Sequence, residues 1–374
     1  MATLRSDTIS GIGTEGPVLN GGLHFRSKNY LTLPKGTTAE RTATSSGIST
    51  VIGAIRYNTD SNKMECYVNN KWMIVSTSSP NLDGGTRGLI VGGQHSSPGP
   101  GVTNVIEKIT ISTAGNGTDF GDLLANSRDM GSAASRTRGL TLGRANNSDV
   151  ISFVTIAQEG NAIDFGNLTT GRRGGEGVSN QTRAVCAGGN NDGGTHYNII
   201  DFITIASTGN ALDFGDLTTT KNRTSGAGSP TRGIFYGGAP GVANNIDYIT
   251  IATTGNAQDF GDTLGGGGSM SAVSSSTRLV AGEGSLSPTY GLGKIEIATL
   301  GNSTKFGDML SNKFSFAAMS DCVRGVFAGG DGSPAQFDSI EYFNISTEGT
   351  MVDFGDISFQ NQQTTGLSNG HGGL

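Results

Sequence analysis

Thr224-Ser-Gly-Ala-Gly-Ser, Thr231-Arg-Gly-Ile-Phe-Tyr-Gly-Gly, Asn245-Ile-Asp-Tyr-Ile-Thr-Ile-Ala and Thr254-Gly-Asn-Ala-Gln-Asp-Phe-Gly-Asp, successive stretches of residues 224–262, decide the fold. Each is a short run bounded by turn residues, so they parse into four strands, termed a, b, c and d. Gly237-Gly238 ends strand b, and Thr254-Gly255-Asn256 makes a tight turn between c and d. The closing tetrapeptide, or a one-residue variant of it, begins at Asp119, Asp164, Asp213, Asp259, Lys305 and Asp353. Successive copies lie 45, 49, 46, 46 and 48 residues apart. That period belongs to the blades of a β-propeller and not to helical solenoids.

Aligning the copies identifies each strand by volume. Strand a is made of small residues, as in Gly131-Ser-Ala-Ala-Ser and Ser225-Gly-Ala-Gly-Ser, which suits the crowded axis of a propeller. Strand d carries Phe120, Phe165, Phe214, Phe260, Phe306 and Phe354, expected to wedge between blades. The first repeat starts at strand b, Thr86-Arg-Gly-Leu-Ile-Val-Gly-Gly, with no strand a before it, while the last residues include an unpartnered strand a, Thr364-Thr-Gly-Leu-Ser-Asn. Each end supplies what the other lacks, so the C-terminal strand is predicted to complete the first blade and close a six-bladed ring.

Composition bounds the function classes. Glycine supplies 61 of 374 residues, but at fixed places in the repeat, so order is the better reading than disorder. A net charge of -6 without a basic stripe argues against nucleic acid as a partner. No apolar run reaches membrane-span length and the N-terminus lacks a signal-peptide core, so a chain made in a cytoplasm, without membrane insertion, is expected. Cys66, Cys186 and Cys322 offer neither a disulfide framework nor zinc spacing. An isolated Asp-Phe-Gly would suggest a kinase, but a glycine-rich phosphate loop with its lysine and a His-Arg-Asp segment are both missing.

The sequence before residue 86 lacks the repeat. Residues 1–50 are expected to form an extended attachment arm, with Ile9, Ile12, Leu23 and Phe25 as docking residues. Residues 51–85 read as a small β module, a three-stranded meander divided at Asp60-Ser61-Asn62 and Asn69-Asn70, with Trp72 as its core or an interface anchor. Residues 86–374 form the propeller. So small a meander buries little apolar surface and is expected to lean on a partner.

The order of a small-residue strand, an apolar strand ending in Gly-Gly, a variable loop, an apolar strand and a fourth strand resembles the kelch pattern, with Phe replacing the usual tryptophan of the fourth strand. Asp247-Tyr-Ile-Thr-Ile-Ala-Thr-Thr-Gly-Asn-Ala-Gln-Asp-Phe-Gly-Asp is also similar to propeller repeats of virion structural and tail-fibre proteins of bacteriophages, cyanophages included. Ile55-Arg-Tyr-Asn-Thr to Asn70-Lys-Trp resembles a small module of phage fibre and appendage proteins. These resemblances imply an all-β, kelch-like six-bladed propeller in a virion, fixed through its N-terminal region to capsid or tail, oligomeric and possible as a trimer.

Repetition decides which residues are candidates for chemistry. Aspartates in nearly every copy, and Arg87, Arg138, Arg183, Arg232, Arg278 and Arg324 at each strand-b start, repeat with the fold and are read as structural, the arginines pairing with the aspartates or with turn carbonyls. No catalytic residue, metal or cofactor is expected, because the histidines are scattered and no carboxylate pair stands out. Function is expected on the face bearing the variable b-to-c loops, at His95, His196, Tyr197, Tyr290 and Phe337, as contacts to a host-surface glycan or protein. An inert disc with drifting loops is the plainer reading of the same residues. A propeller-type glycan depolymerase and a cellular kelch-like scaffold are the competing functions.

Overall fold

The computed structural model describes residues 33–42, 53–61, 63–69, 71–74, 85–96, 101–240, 244–282, 291–332 and 335–374. The described chain is all-β, with one 3-10 turn at Ala39–Thr42, and divides into the units Met1–Ser79 and Pro80–Leu374. No helix among the described residues is long and apolar enough to cross a membrane.

The larger unit is propeller-like, with six four-stranded antiparallel sheets. The fourth repeat gives strands Ser225–Gly228, Arg232–Tyr236, Asn245–Thr250 and Gln258–Asp262, paired in that order. Strand Thr365–Ser368 pairs antiparallel with Arg87–His95, in register from Thr365 opposite Val91 to Ser368 opposite Gly88. The small-residue strands adjoin one another, and Thr365–Ser368 neighbours both Ala317–Ser320 and Gly131–Ala134.

Each motif phenylalanine is the extra residue of a β-bulge. Asp213 pairs with Asp201 and Gly215 with Ile200, which leaves Phe214 unpaired and directed off the ladder. All six phenylalanines are buried among residues of their own sheet or of the sheet that follows. Phe120, for example, packs with Val154, Ile156 and Ala162 of the next repeat, and Phe354 packs with Ile109 and Ile111 of the first. Such burial contributes about 2 kcal/mol per ring.

The motif also ties the outer edge of one sheet to the c-to-d turn of the next. Gly255 N–H donates to the Phe214 carbonyl at 2.7 Å, Ala257 N–H donates to the Asp216 carbonyl at 2.8 Å, and the Asp216 N–H donates to Asn256 Oδ1 at 3.1 Å. The same contacts join Phe120 to Gly160, Phe165 to Gly209, Phe260 to Gly301 and Phe354 to Gly115. Edge groups that would template aggregation are thereby used inside the fold. Gly215 must be glycine: φ is +145°, and a Cβ there would stand 2.6 Å from the Gly255 carbonyl.

The repeated arginines bridge sheets through carbonyls. Arg183 Nη1 donates to the Ile251 carbonyl of the next sheet at 2.9 Å, while its guanidinium lies 4.4 Å from the centroid of Phe202 in its own sheet. Arg87, Arg138, Arg232, Arg278 and Arg324 reach Ile156, Ile205, Ile297, Ile345 and Ile111 in the same way. Where the stacked aromatic is replaced by Lys108 or Lys294, that lysine pairs with Glu159 or Glu348 of the next turn.

The smaller unit differs from the expected meander. Strands Ile55–Asn58, Lys63–Val68 and Lys71–Ile74 are joined by a fourth, Lys35–Gly36, parallel to the first. Lys35–Gly36 thus belong to the sheet and not to an arm, because the free edge of Ile55–Asn58 accepts them, with Tyr57 N–H donating to the Pro34 carbonyl at 2.8 Å, and the 3-10 turn Ala39–Thr42 follows. The enclosed side is polar. Glu65 is buried, bonded by Arg41 and by Asn58 Nδ2 at 2.9 Å, and the Arg41 hydrogen bond holds its carboxyl below the usual range. Trp72 is half-buried on that side, 5.4 Å from Tyr67 and beneath the Arg56 guanidinium, so it packs against a polar network and does not centre an apolar core. Ile55, Tyr57, Met64, Cys66, Val68 and Met73 share the opposite face, where Ile55 is 47% and Met73 53% exposed.

Candidate functional site

The six small-residue strands line one axial cavity of about 140 Å³. Its lining at one end comes from the crossings into strand a, where backbone bonds run between sheets. Gly174 N–H donates to Asp129, Arg223 to Gly174, Ser269 to Arg223, Ser315 to Ser269, Gln363 to Ser315 and Asp129 to Gln363, at 2.7–3.2 Å. These six bonds return to their first residue. Asp129, Arg223, Ser269, Ser315 and Gln363 all have φ between +50° and +65°, a conformation that asparagine or glycine would adopt at less cost. The backbone ring is uniform, but the side chains on it are all different in charge or size except for the two serines.

Two carboxyl groups occur here once only. Glu176 is the sole ionisable residue in the six small-residue strands. Its Oε1 accepts from the Gly177 N–H at 2.9 Å, yet loss of bulk water around it pushes the carboxyl up to about 8. The Asp129 side chain is 8% exposed and its Oδ2 has no hydrogen-bond partner, with Arg173 Nη1 at 3.6 Å. Burial raises its carboxyl above the ordinary range, against the pull of Arg223, Arg173 and Arg128. Thr224, 3% exposed, also lines the cavity with an unpartnered Oγ1. Met130, Met270 and Phe316 supply apolar wall.

Beside the axis, the crossings carry buried ion pairs in three repeats. Arg172 meets Asp201 at 2.8 Å, Lys221 meets Asp247 at 2.9 Å and Lys313 meets Glu341 at 2.9 Å, all with side chains at most 2% exposed. Burial pulls the Lys221 and Lys313 ammonium groups below their ordinary range, and the paired carboxylates oppose it. The equivalent places in two other repeats hold Gly267 with Gly293 and Ser127 with Ser152, so both members change together. A lone buried charge is costly, which accounts for the joint change in those two repeats; the sixth keeps the acid without a cation, Glu107 being buried with Asn361 at the place of the base and bonded instead by the Ser358 N–H at 3.1 Å and by its hydroxyl.

Residues Asn369–Leu374 cross the other end of the cavity. His371 Nδ1 accepts from the Gly373 N–H at 3.1 Å, so Nε2 carries the proton that reaches the Ala134 carbonyl at 3.0 Å. Gly372 N–H donates to the Ser274 carbonyl at 3.1 Å. Burial holds the His371 imidazole below its ordinary range.

The residues singled out on the variable face are spread over it. His95 is in strand Arg87–His95 and not in a loop, because this hairpin is longer than the others; its ring stands edge-on to Phe359 at 5.5 Å. His196 and Tyr197 are half-buried in the b-to-c hairpin of the third sheet, with Asn190 bridged to His196 and the Tyr197 N–H bonded to the Gly189 carbonyl. Phe337 is half-buried, 6.0 Å from Lys313 Nζ. Tyr290 and the arm residues Ile9, Ile12, Leu23 and Phe25 lie outside the described residues. None of these contacts joins the placed residues into one site.

Asp129, Glu176, Arg223 and Thr224 were not singled out from the sequence, although a signal exists. The ring residue follows the first residue of each motif by ten, from 119 to 129, 164 to 174, 213 to 223, 259 to 269, 305 to 315 and 353 to 363. Among the described residues no group of three or more His, Cys, Asp or Glu could hold a metal ion. Comparison of the sequence with protein-family models and with curated proteins returned no match.

Proposed function

We propose that the chain is a non-enzymatic structural or appendage protein of a bacteriophage virion, a tail fibre or a capsid-attached fibre or decoration. Its N-terminal region attaches to capsid or tail proteins, and its larger unit is a six-bladed, kelch-like propeller closed by strand Thr365–Ser368. The propeller presents its loop-bearing face to a host-surface glycan or protein, or to neighbouring particle proteins. The observation that carries attachment is the inverted N-terminal sheet, which encloses Glu65 and Asn58 and leaves Ile55 and Met73 exposed. An apolar sheet face of this kind suits a second copy, as in a trimer, or a particle protein. Closure is supported by the Phe354–Gly115 turn contact, the Arg324–Ile111 bridge and the returning ring of backbone bonds. Mass spectrometry of particles purified from a culture expressing the chain tests this reading. Its recovery in stoichiometric amount is expected, and its absence from clean particles overturns the proposal.

One observation favours a second reading, a propeller-type glycan depolymerase: Asp129 and Glu176 are unrepeated carboxyl groups lining one cavity, and glycoside hydrolysis uses such pairs. Under that reading Glu176→Gln abolishes polysaccharide cleavage and leaves polysaccharide binding intact. Under the virion-component reading the wild-type chain releases no reducing ends at all.

A further inference from the structure

We infer that the mouth of the axial cavity, where Arg128, Arg173 and Arg223 gather, binds one anionic group, a carboxylate or a phosphate, of an acidic polysaccharide. The inference rests on the proposed reading of the loop-bearing face as a glycan contact, and not on the chain's being part of a particle.

The arginines outnumber their partners. Only Arg173 is in ion pairs among the described residues, shared between Asp129 at 3.6 Å and Asp192 at 3.3 Å. Arg128 is bonded to the neutral Gln94 and, at 3.4 Å, to Gln363. Arg223 is exposed, and its guanidinium has no hydrogen bond or ion pair among the described residues. Three guanidinium groups thus stand with two carboxylates, which leaves a positive charge at the mouth of a chain whose net charge is -6.

The three converge on Asp129. The stem of Arg223 leans across Gly174, where a Cβ would stand 3.5 Å from its Cγ. Burial raises the Asp129 carboxyl, and of the three arginines that oppose this Arg223 acts most strongly. Asp129 Oδ2 is enclosed, so this carboxylate gathers the guanidinium groups without offering that oxygen to a ligand. The other side chains of the ring donate. Ser269, Ser315 and Gln363 line the mouth, and neither serine hydroxyl nor the Gln363 Nε2 has a hydrogen bond among the described residues. Guanidinium forks with hydroxyl and amide donors beside them match the oxygens of a carboxylate or phosphate. Gly174 shows that the ring position admits glycine, yet Arg223 holds it at a φ of +50°.

Size sets how a sugar would sit. A cavity of about 150 Å³ accepts benzene, so the 140 Å³ behind the mouth excludes a sugar ring. The charged substituent alone meets the mouth, and the ring stays outside on the loop-bearing face.

The test is NMR of the full chain labelled with 15N-arginine, reading the Nε–H signals of Arg128, Arg173 and Arg223. The probes are methyl β-D-glucopyranosiduronate, α-D-glucose 1-phosphate, neutral methyl α-D-glucopyranoside, inorganic phosphate and an oligothymidylate. A saturable shift in the millimolar range is expected with one or both acidic sugars and not with the neutral glycoside. Binding of the glucuronide assigns the site to a carboxylate-bearing polysaccharide, and binding of the sugar phosphate to a phosphate-bearing one. About 1 M sodium chloride, where the screening length is about 3 Å, should remove most of the shift. Arg223→Gln and Arg128→Gln, read on the remaining arginine signals, each weaken binding about tenfold. Lys305→Gln, which removes a charge from an outermost strand, leaves it unchanged. Unchanged near-ultraviolet circular dichroism shows that the variants are folded. The inference is overturned if neither acidic sugar moves the signals, if the neutral glycoside binds as well, or if the shifts survive both arginine substitutions. Binding of inorganic phosphate or the oligothymidylate without either acidic sugar also overturns it. The particle reading fails by a different result, absence of the chain from purified particles.

Discussion

The outer rim and the axial end of the propeller-like unit descend from the same repeat but spend it differently. At the rim, every copy has the bulged phenylalanine, and five of the six add a glycine at φ near +147° and a turn asparagine that closes on the next sheet, the copy at Phe306 having Thr350 in the asparagine's place. At the axis the backbone solution is equally uniform, six linked residues ten positions after each motif start, but the side chains are Asp, Gly, Arg, Ser, Ser and Gln. Uniform side chains mark what holds sheets together. Varied side chains on a uniform backbone mark where something other than the fold set the residue.

The largest effects should come from breaking what joins the sheets. Asp247→Ala strands the Lys221 ammonium at 0% exposure and is expected to cost about 4 kcal/mol in urea denaturation. Replacing both, Lys221→Met with Asp247→Leu, should recover most of that loss, as the Gly267–Gly293 repeat already manages without charge. Next comes Gly215→Ala, at about 3 kcal/mol, from a Cβ 2.6 Å from the Gly255 carbonyl and a φ of +145°.

Smaller and pH-dependent is Glu176. Its carboxyl lies near 4.5 when unfolded and about 8 when folded, so between those values the folded state keeps a proton that the unfolded state has lost. Stability therefore falls as pH rises through this window. Glu176→Gln should flatten the fall and be more stable than wild type at pH 9 by on the order of 2 kcal/mol, a value discounted for solvent in the cavity. His371 acts in the opposite sense. Its folded value is depressed, so its contribution is present above its ordinary value near 6.5 and is lost as pH falls below it; His371→Ala should remove that acid-side slope. Smallest is Ser315→Gly, expected to stabilise by about 0.5 kcal/mol because φ is +55°.

The rim was legible because its physics repeats. Spacing exposed the Asp-Phe-Gly-Asp copies, small side chains exposed strand a, and the displaced Thr364-Thr-Gly-Leu-Ser-Asn exposed the pairing with Arg87–His95. The axial end was harder to read because its residues share position and not identity. Asp129 and Arg223 look like loop drift until the motif offset aligns them, and the burial of Asp129 depends on five other crossings. The repeated arginines were visible as a set, but their acceptors are isoleucine carbonyls in another sheet, which carry no side-chain signature. In the smaller unit, the three strands and their turns were visible, but the side covered by Arg41 was not, so the polar interior around Glu65 could not be foreseen.

Amide hydrogen exchange on the intact chain tests most directly whether the repeat forms one ring. The seam amides are Gly115, bonded to Phe354, and Asp129, bonded to Gln363. A closed six-bladed ring predicts that they exchange as slowly as Gly209, Gly255 and Arg223, their counterparts between sheets adjacent in sequence. Exchange of Gly115 and Asp129 at unprotected-peptide rates, with those counterparts still protected, would contradict it and leave an open array.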